Sequence, residues 1–317
     1  MTTSGRLQES LTRLLNSYQT IVTIGPLKPS PALTCCVRSN HSEFTMPAAA
    51  TLTSPTLASI SPDSNDLRSF YEENGYAIAR GAIDSPTVAR LTTDFDRVVK
   101  QMEGSGENLN ARWDLETTAE LDAGRSAVVV HTHQIQKFSA EWAKFCFNEQ
   151  FLGLTQQLLG PDIILHHSKL FLKPAGHGAA FPPHQDFGYF PTTVHSMLAA
   201  VLFLSPSNED NGCVRVWPGS HKLGPIADNM GGNKEVAARF PFEQSVPAIC
   251  APGDILFFSY LTVHGSLANR GTQARKSVLF QLHAGTDRMI ESAGHPSSNL
   301  VLRGWNHHMT RDRANAS

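Results

Sequence analysis

Five short, apolar, β-favouring runs fill the second half of this chain and limit what it can fold into. They are Ile163 to Lys173, Met197 to Leu204, Cys213 to Trp217, Ile255 to Tyr260 and Ser277 to His283. Turn signals stand between them: Pro174-Ala175-Gly176, Asn211-Gly212, Pro218-Gly219, Pro252-Gly253 and Asn269-Arg270-Gly271. Such short runs need hydrogen-bonded neighbours, and the turns bring neighbours back alongside. The part before them reads as helix. Asp66 to Asn74 carries Leu67, Phe70 and Tyr71 on one face, with Gly75 where a helix ends. Tyr76 to Arg80 alternates as a short strand. Asp84-Ser85-Pro86 then offers a cap followed by a proline at the first helical position. Val88, Leu91, Phe95, Val98, Val99 and Met102 follow at helical spacing until Gly104. Residues 107 to 128 lack a period and read as a loop. Residues 138 to 159 look helical again, and Gly160-Pro161 stops them. Helices first and strands afterwards predict a mainly β protein with flanking helices, its antiparallel strands arranged as a jelly roll.

The chain has 317 residues, 41% of them hydrophobic and 17% charged, enough for a sizeable core. A net charge of -2 gives no electrostatic basis for nucleic-acid partners. No apolar run approaches the length that spans a bilayer, so no membrane partner is expected. Five cysteines, an odd number without a CxxC pair, point to a reducing compartment. The expected location is therefore intracellular, in the cytoplasm. Residues 1–60 are rich in Ser, Thr, Pro and Ala and poor in acids, and read as a disordered extension. A peroxisomal or mitochondrial targeting segment is the other reading, because Arg6 to Leu15 can form a short amphipathic helix. Residues 61–317 are expected to form a single domain.

Within Pro183-His184-Gln185-Asp186-Phe187, His184 and Asp186 are two positions apart, so on an extended strand they point to one face. His264, in Thr262-Val263-His264-Gly265-Ser266, supplies a third ligand if the apolar run from Ile255 delivers it to a barrel mouth. Two histidines and a carboxylate with open positions suit a non-haem Fe(II) oxygenase. The same set suits zinc in a cupin-like hydrolase or isomerase. A jelly-roll binding module without catalysis is a third reading. Arg275, at the start of the next strand, can grip a dicarboxylate through a two-pronged contact, and Ser266 can add a hydroxyl. A zinc hydrolase has no use for that clamp. Other candidates read as structural. His131-Thr132-His133 reads as a strand end, with a place at the substrate entrance as the alternative. The rings of His166 and His167 point to opposite faces of a regular strand. His221 reads as a loop hydrogen-bonding residue, His307-His308 as solvent-exposed and Arg303 as a surface ion pair. Phe187, Tyr189 and Phe190 read as core, or else as an apolar substrate wall. Asn229 to Lys234 reads as a lid or a plain loop.

Taken together, His184-Gln185-Asp186, Asn211-Gly212-Cys213, Trp217-Pro218-Gly219-Ser220-His221, Gly253-Asp254, His264-Gly265-Ser266 and Arg275 resemble the phytanoyl-CoA dioxygenase family. The resemblance spans roughly Asp66 to Arg303 and includes Tyr189-Phe190-Pro191 after the HxD pair. It implies a double-stranded β-helix core of jelly-roll, cupin-like form. It implies Fe(II) on the catalytic residues His184, Asp186 and His264, with 2-oxoglutarate and O2 as cosubstrates. Arg275 and Ser266 would hold the distal carboxylate of 2-oxoglutarate. Lys169, or the neighbouring His167, would make a further cosubstrate contact. The implied reaction is hydroxylation or another oxidation of a small organic substrate, an acyl-CoA or a secondary metabolite, coupled to decarboxylation of 2-oxoglutarate to succinate. The carboxylate at position 186 argues against halogenation, because related halogenases have a small residue there. Where phytanoyl-CoA dioxygenase itself has a tryptophan near the cosubstrate, this chain has Val201.

Overall fold

The computed structural model describes residues 66–107, 129–226, 234–290 and 297–315. The expected N-terminal extension, almost all of the 107–128 loop and most of the Asn229–Lys234 segment lie outside these residues.

Helix α1 (Asp66–Asn74) and strand β1 (Tyr76–Ala79) fall where the sequence puts them. Helix α2 (Ser85–Glu103) is capped by Asp84, whose side chain accepts from the Thr87 amide at 2.8 Å. Its six buried residues are the six of the helical pattern, so the apolar stripe sets which face turns inward. The 138–159 region is two helices, α3 (Ala140–Phe145) and α4 (Glu149–Leu159). The break has a cause: Asn148 turns extended and its side chain caps α4 at the Phe151 amide.

The strands form two antiparallel sheets. The larger is seven-stranded, in the order β1, β8 (Ile255–Ser259), β5 (Leu198–Phe203), β10 (Arg275–Ala284), β3 (Ile163–Lys173), β11 (Leu300–Arg303). Strand β2 (Val130–His133) also pairs with β3. The smaller runs β4 (Phe181–His184), β9 (His264–Ser266), β6 (Val214–Val216), β7 (Val246–Pro247). This is the expected jelly roll. The helices cover the outer face of the large sheet, where Phe280 stacks among Trp142, Phe145 and Phe151 at centroid distances of 5.2 to 6.4 Å. On its inner face, Ala199, Val201, Phe203, Leu256 and Phe258 meet Val216 of the small sheet. Successive residues of β10 therefore alternate between a dry aromatic core and the space between the sheets.

Two expectations need correction. His264 is not carried by the apolar run from Ile255. That run is β8 of the large sheet; the chain then turns through Tyr260–Val263 and His264 opens β9 of the small one. His166 and His167 do not point apart either. The register of β3 against β10 slips there, Gln281 facing His167 and Leu282 facing Leu165. His166 is the extra residue of a β-bulge, which turns both rings inward with their Nδ1 atoms 2.7 Å apart.

Candidate active site

Strands β4 and β9 build the centre. His184 and His264 are direct cross-strand partners, so their rings lie on one face with centroids 4.2 Å apart. Strand β4 tolerates Pro182 and Pro183 because it is an edge of its sheet. Gly265 lets the strands approach, since a Cβ there would sit 2.9 Å from the Phe181 carbonyl oxygen. After His184 the chain turns into a short 3-10 helix that begins at Asp186. Gln185, fully buried, pins this turn: its amide donates to the carbonyls of Leu261 (2.6 Å) and Gly224 (3.0 Å). Asp186 Oδ1 then lies 3.7 Å from Nε2 of both His184 and His264. One ligand atom from each of the three residues falls within 4.8 Å of the others.

Both imidazoles are fixed in the tautomer that metal ligation would require. Nδ1 of His184 donates to the Pro182 carbonyl at 2.8 Å, and Nδ1 of His264 to the Thr262 carbonyl at 3.0 Å. A carbonyl can only accept, so the lone pair of each ring sits on Nε2, facing Asp186. Burial pushes the pKa of His184 down to about 3, with the nearby His264 adding to the effect, and that of His264 down to about 4. Both rings are therefore neutral at pH 7, the form that binds a metal. Two neutral imidazoles and one carboxylate on one face suit a divalent iron and leave further positions for small ligands.

Arg275 begins β10, and Ser266 ends β9; both line the cavity that contains the three residues. Arg275 is 4% exposed. Its guanidinium donates to the Gly212 carbonyl in the Asn211-Gly212 turn, and its Nε has no hydrogen-bond partner among the described residues. Gly212 has φ +68°, and a Cβ there would lie 2.3 Å from the Leu267 carbonyl oxygen, which explains the residue type. Arg275 thus brings a buried guanidinium to the cavity lining, a group whose planar fork matches a carboxylate. Lys173 was not singled out by its sequence. It is fully buried and donates to Ser266 Oγ (2.7 Å) and the Leu267 carbonyl (2.6 Å). Ser266 thus accepts from Lys173 and keeps its own proton for another acceptor. Lys169 lines the cavity, with Nζ 4.8 Å from the Phe171 ring centroid. Burial pushes its pKa down to about 8, against the pull of Asp186.

The remaining candidates divide cleanly. His221 hydrogen-bonds the Glu72 carbonyl, His307 pairs with Asp162 and Arg303 pairs with Glu149, as structural roles require. Lys276, the neighbour of Arg275, pairs with Asp96 on the other side of the sheet. His131 and His133, read first as a strand end, line the cavity together with His167, Tyr189 and Phe190. Val201 lines it as well. The cavity measures about 390 Å3.

Comparison with known proteins agrees with this architecture. The family model "Phytanoyl-CoA dioxygenase (PhyH)" matches residues 71–277. The peroxisomal phytanoyl-CoA dioxygenase of Bos taurus is 26% identical over 248 residues, covering 74% of this chain and 73% of that protein. Ectoine dioxygenase of Stutzerimonas stutzeri (strain A1501) is 25% identical over 264 residues, covering 73% and 80%. Among solved structures, the epimerase SnoN in complex with Fe3+, alpha ketoglutarate and nogalamycin RO shares the fold. Its TM-score is 0.60 at 21% identity, with 80% of this chain and 98% of that chain covered. A match across residues 71–277, together with a jelly roll that brings His184, Asp186 and His264 to one point, leads to one conclusion: the chain belongs to the phytanoyl-CoA dioxygenase family of Fe(II)/2-oxoglutarate-dependent oxygenases.

Proposed function

We propose that this protein oxidises a small organic substrate, with hydroxylation as the default outcome, at an iron held by His184, Asp186 and His264. Arg275 and Ser266 bind the distal carboxylate of 2-oxoglutarate, and Lys169 contacts the cosubstrate near the metal. One observation carries the reading: a buried guanidinium with an unmet N–H shares a cavity with a converging His, Asp, His set. When bound, iron and 2-oxoglutarate together supply the oxidising power, drawn from O2 and the decarboxylation to succinate.

The chain's own residues orient and protect that chemistry. The carbonyls of Pro182 and Thr262 hold both imidazole rings in one tautomer. Arg275 and the Lys173-oriented Ser266 fix the far end of the dicarboxylate and so the angle of its near end. Phe190, 5% exposed and packed on Met197, Tyr260 and Leu261, forms a dry side of the cavity and limits water. Bovine phytanoyl-CoA dioxygenase and the bacterial ectoine dioxygenase are named for very different substrates. Likeness to either is therefore no guide to which molecule is oxidised here. The test is anaerobic addition of Fe(II) and then 2-oxoglutarate, with observation of the weak visible charge-transfer band of a bidentate complex. The band should appear, and Asp186→Ala should abolish it with the fold retained. Its absence in folded, metal-loaded protein would transfer the site to another metal chemistry, zinc hydrolysis first.

A further inference from the structure

Lys173 ends β3 fully buried, yet it is not among the residues that line the cavity. A lysine in such a place gives up the hydration of its ammonium, so its surroundings have to hold it. They do so from several sides. The chain at Gly178 passes so close to the lysine stem that a Cβ there would lie 2.2 Å from Lys173 Cγ. Asn269 donates from Nδ2 to the Lys173 carbonyl at 3.0 Å, and Gly178 and Asn269 form an antiparallel bridge with each other. The centroid of the Phe181 ring stands 5.6 Å from Nζ. Arg275 is the direct partner of Lys173 across β3 and β10. Strand, turn and ring together keep one ammonium in one place.

That ammonium holds Ser266. Nζ donates to Ser266 Oγ at 2.7 Å and to the Leu267 carbonyl at 2.6 Å. An ammonium has three donors and no acceptor, so Ser266 Oγ accepts in this contact. The hydroxyl proton is then directed elsewhere, and no acceptor takes it among the described residues. Ser266 is 3% exposed and lines the cavity of the metal centre. A serine hydroxyl that turns at will can donate or accept as its ligand requires. One fixed on an ammonium is left to donate, and the contact polarises its O–H into a stronger donor. Arg275 lines the same cavity and also only donates. Two groups that only donate match an end group that only accepts, which is a carboxylate. They mismatch an end group that accepts nothing, because both donors would then lose water without a replacement.

We infer that Lys173 is a positioning residue for the choice of cosubstrate: acting through Ser266, it selects 2-oxo acids that end in a second carboxylate. This rests on the reading of the site as an Fe(II)/2-oxoglutarate centre. The test is calorimetric titration of the full chain, loaded anaerobically with Fe(II). The probes are 2-oxoglutarate and 2-oxopentanoate, which has the same five-carbon chain without the distal carboxylate. The parent should prefer 2-oxoglutarate by at least 100-fold. Lys173→Met keeps the buried stem and removes the ammonium. It should lower that preference at least ten-fold by weakening 2-oxoglutarate, with 2-oxopentanoate affinity moved less than two-fold. Ser266→Ala should lower it by a similar factor, and adding Lys173→Met to Ser266→Ala should lower it less than two-fold further. Lys173→Gln, which keeps a donor for Ser266, should recover part of the loss. A lysine that only supported the fold would weaken both 2-oxo acids alike, and that result would overturn the inference. So would a preference that survives Lys173→Met, or losses from Lys173→Met and Ser266→Ala that multiply in full. Should Lys173→Met fail to fold, Ser266→Ala and Lys173→Gln decide, and an unchanged preference in Ser266→Ala overturns the inference. A parent that binds neither 2-oxo acid would overturn the reading of the site and the inference with it, an outcome distinct from a parent preference that the variants leave intact.

Discussion

Burial takes the pKa of His184 to about 3 and that of His264 to about 4, and this decides how the centre competes with protons. Two histidines of ordinary pKa, near 6.5, would each be about ten-fold protonated at pH 5.5. Metal affinity would then fall roughly 100-fold on going there from neutral pH. With the charged forms disfavoured by burial, that loss begins only near pH 4. Apparent Co(II) affinity, followed by its visible absorption, should therefore change by less than about three-fold between pH 7.0 and 5.5; a fall near 100-fold would show rings of ordinary basicity. The residue types of this centre were legible from context, because HxD alone is common and gains meaning from His264 and Arg275 after it and from the motifs shared with a known family. Lys173 was not legible. A lysine at a strand end reads as a solvated side chain, and only the fold shows it fully buried on Ser266. His131 and His133 were legible as a same-face pair, but the pairing of β2 with β3 decides which face is the cavity.

At the scale of elements, the centre depends on how closely β4 and β9 approach. Gly265→Ala would place a Cβ 2.9 Å from the Phe181 carbonyl oxygen and 3.1 Å from the Phe242 ring. Backbone cannot yield as a flexible side chain does, so the strands must separate, at a cost of about 1–3 kcal/mol. His184 and His264 sit on those two strands as partners, so the separation spreads the proposed ligands. The expected result is a lower melting temperature together with at least ten-fold weaker metal binding. A variant that melts lower but binds metal normally would show that the small sheet absorbs the strain elsewhere. The same two strands escape a sequence reading. The long apolar strands β3, β5, β8 and β10 announce themselves by composition. Strand β4 contains two prolines and β9 is the polar triplet His264-Gly265-Ser266, so neither has an apolar pattern to read. The bulge in β3 is hidden for a related reason. Period-two reasoning separates His166 from His167, and one extra residue in the ladder cancels it.

At the scale of the described fold, the aromatic core and the candidate site occupy opposite faces of one sheet, and β10 borders both. Phe280 belongs to the aromatic core under the helices, and its truncation to alanine should cost about 3–5 kcal/mol. Phe280→Ala should accordingly melt well below the parent yet hold the half-saturating concentration of 2-oxoglutarate within about three-fold at a temperature where it is folded. Arg275, five residues away on the other face, should behave in the opposite sense. Burial depresses its pKa to about 10, so the fold holds a charge that it solvates poorly and an Nε–H with no partner among the described residues. An apolar side chain in its place removes the desolvation cost of that charge. Arg275→Met gives up one hydrogen bond to the Gly212 carbonyl, worth about 1 kcal/mol, and removes the larger burden of the buried charge. Its melting temperature without cosubstrate should therefore equal or exceed that of the parent. Metal-loaded parent protein at 100 times the dissociation constant of 2-oxoglutarate should gain about 2.7 kcal/mol. Arg275→Met should gain nothing at the same concentration. If Arg275→Met instead melted far below the parent, the guanidinium would be a structural tie between β10 and the Asn211-Gly212 turn, and its buried charge would not be a net cost to the fold.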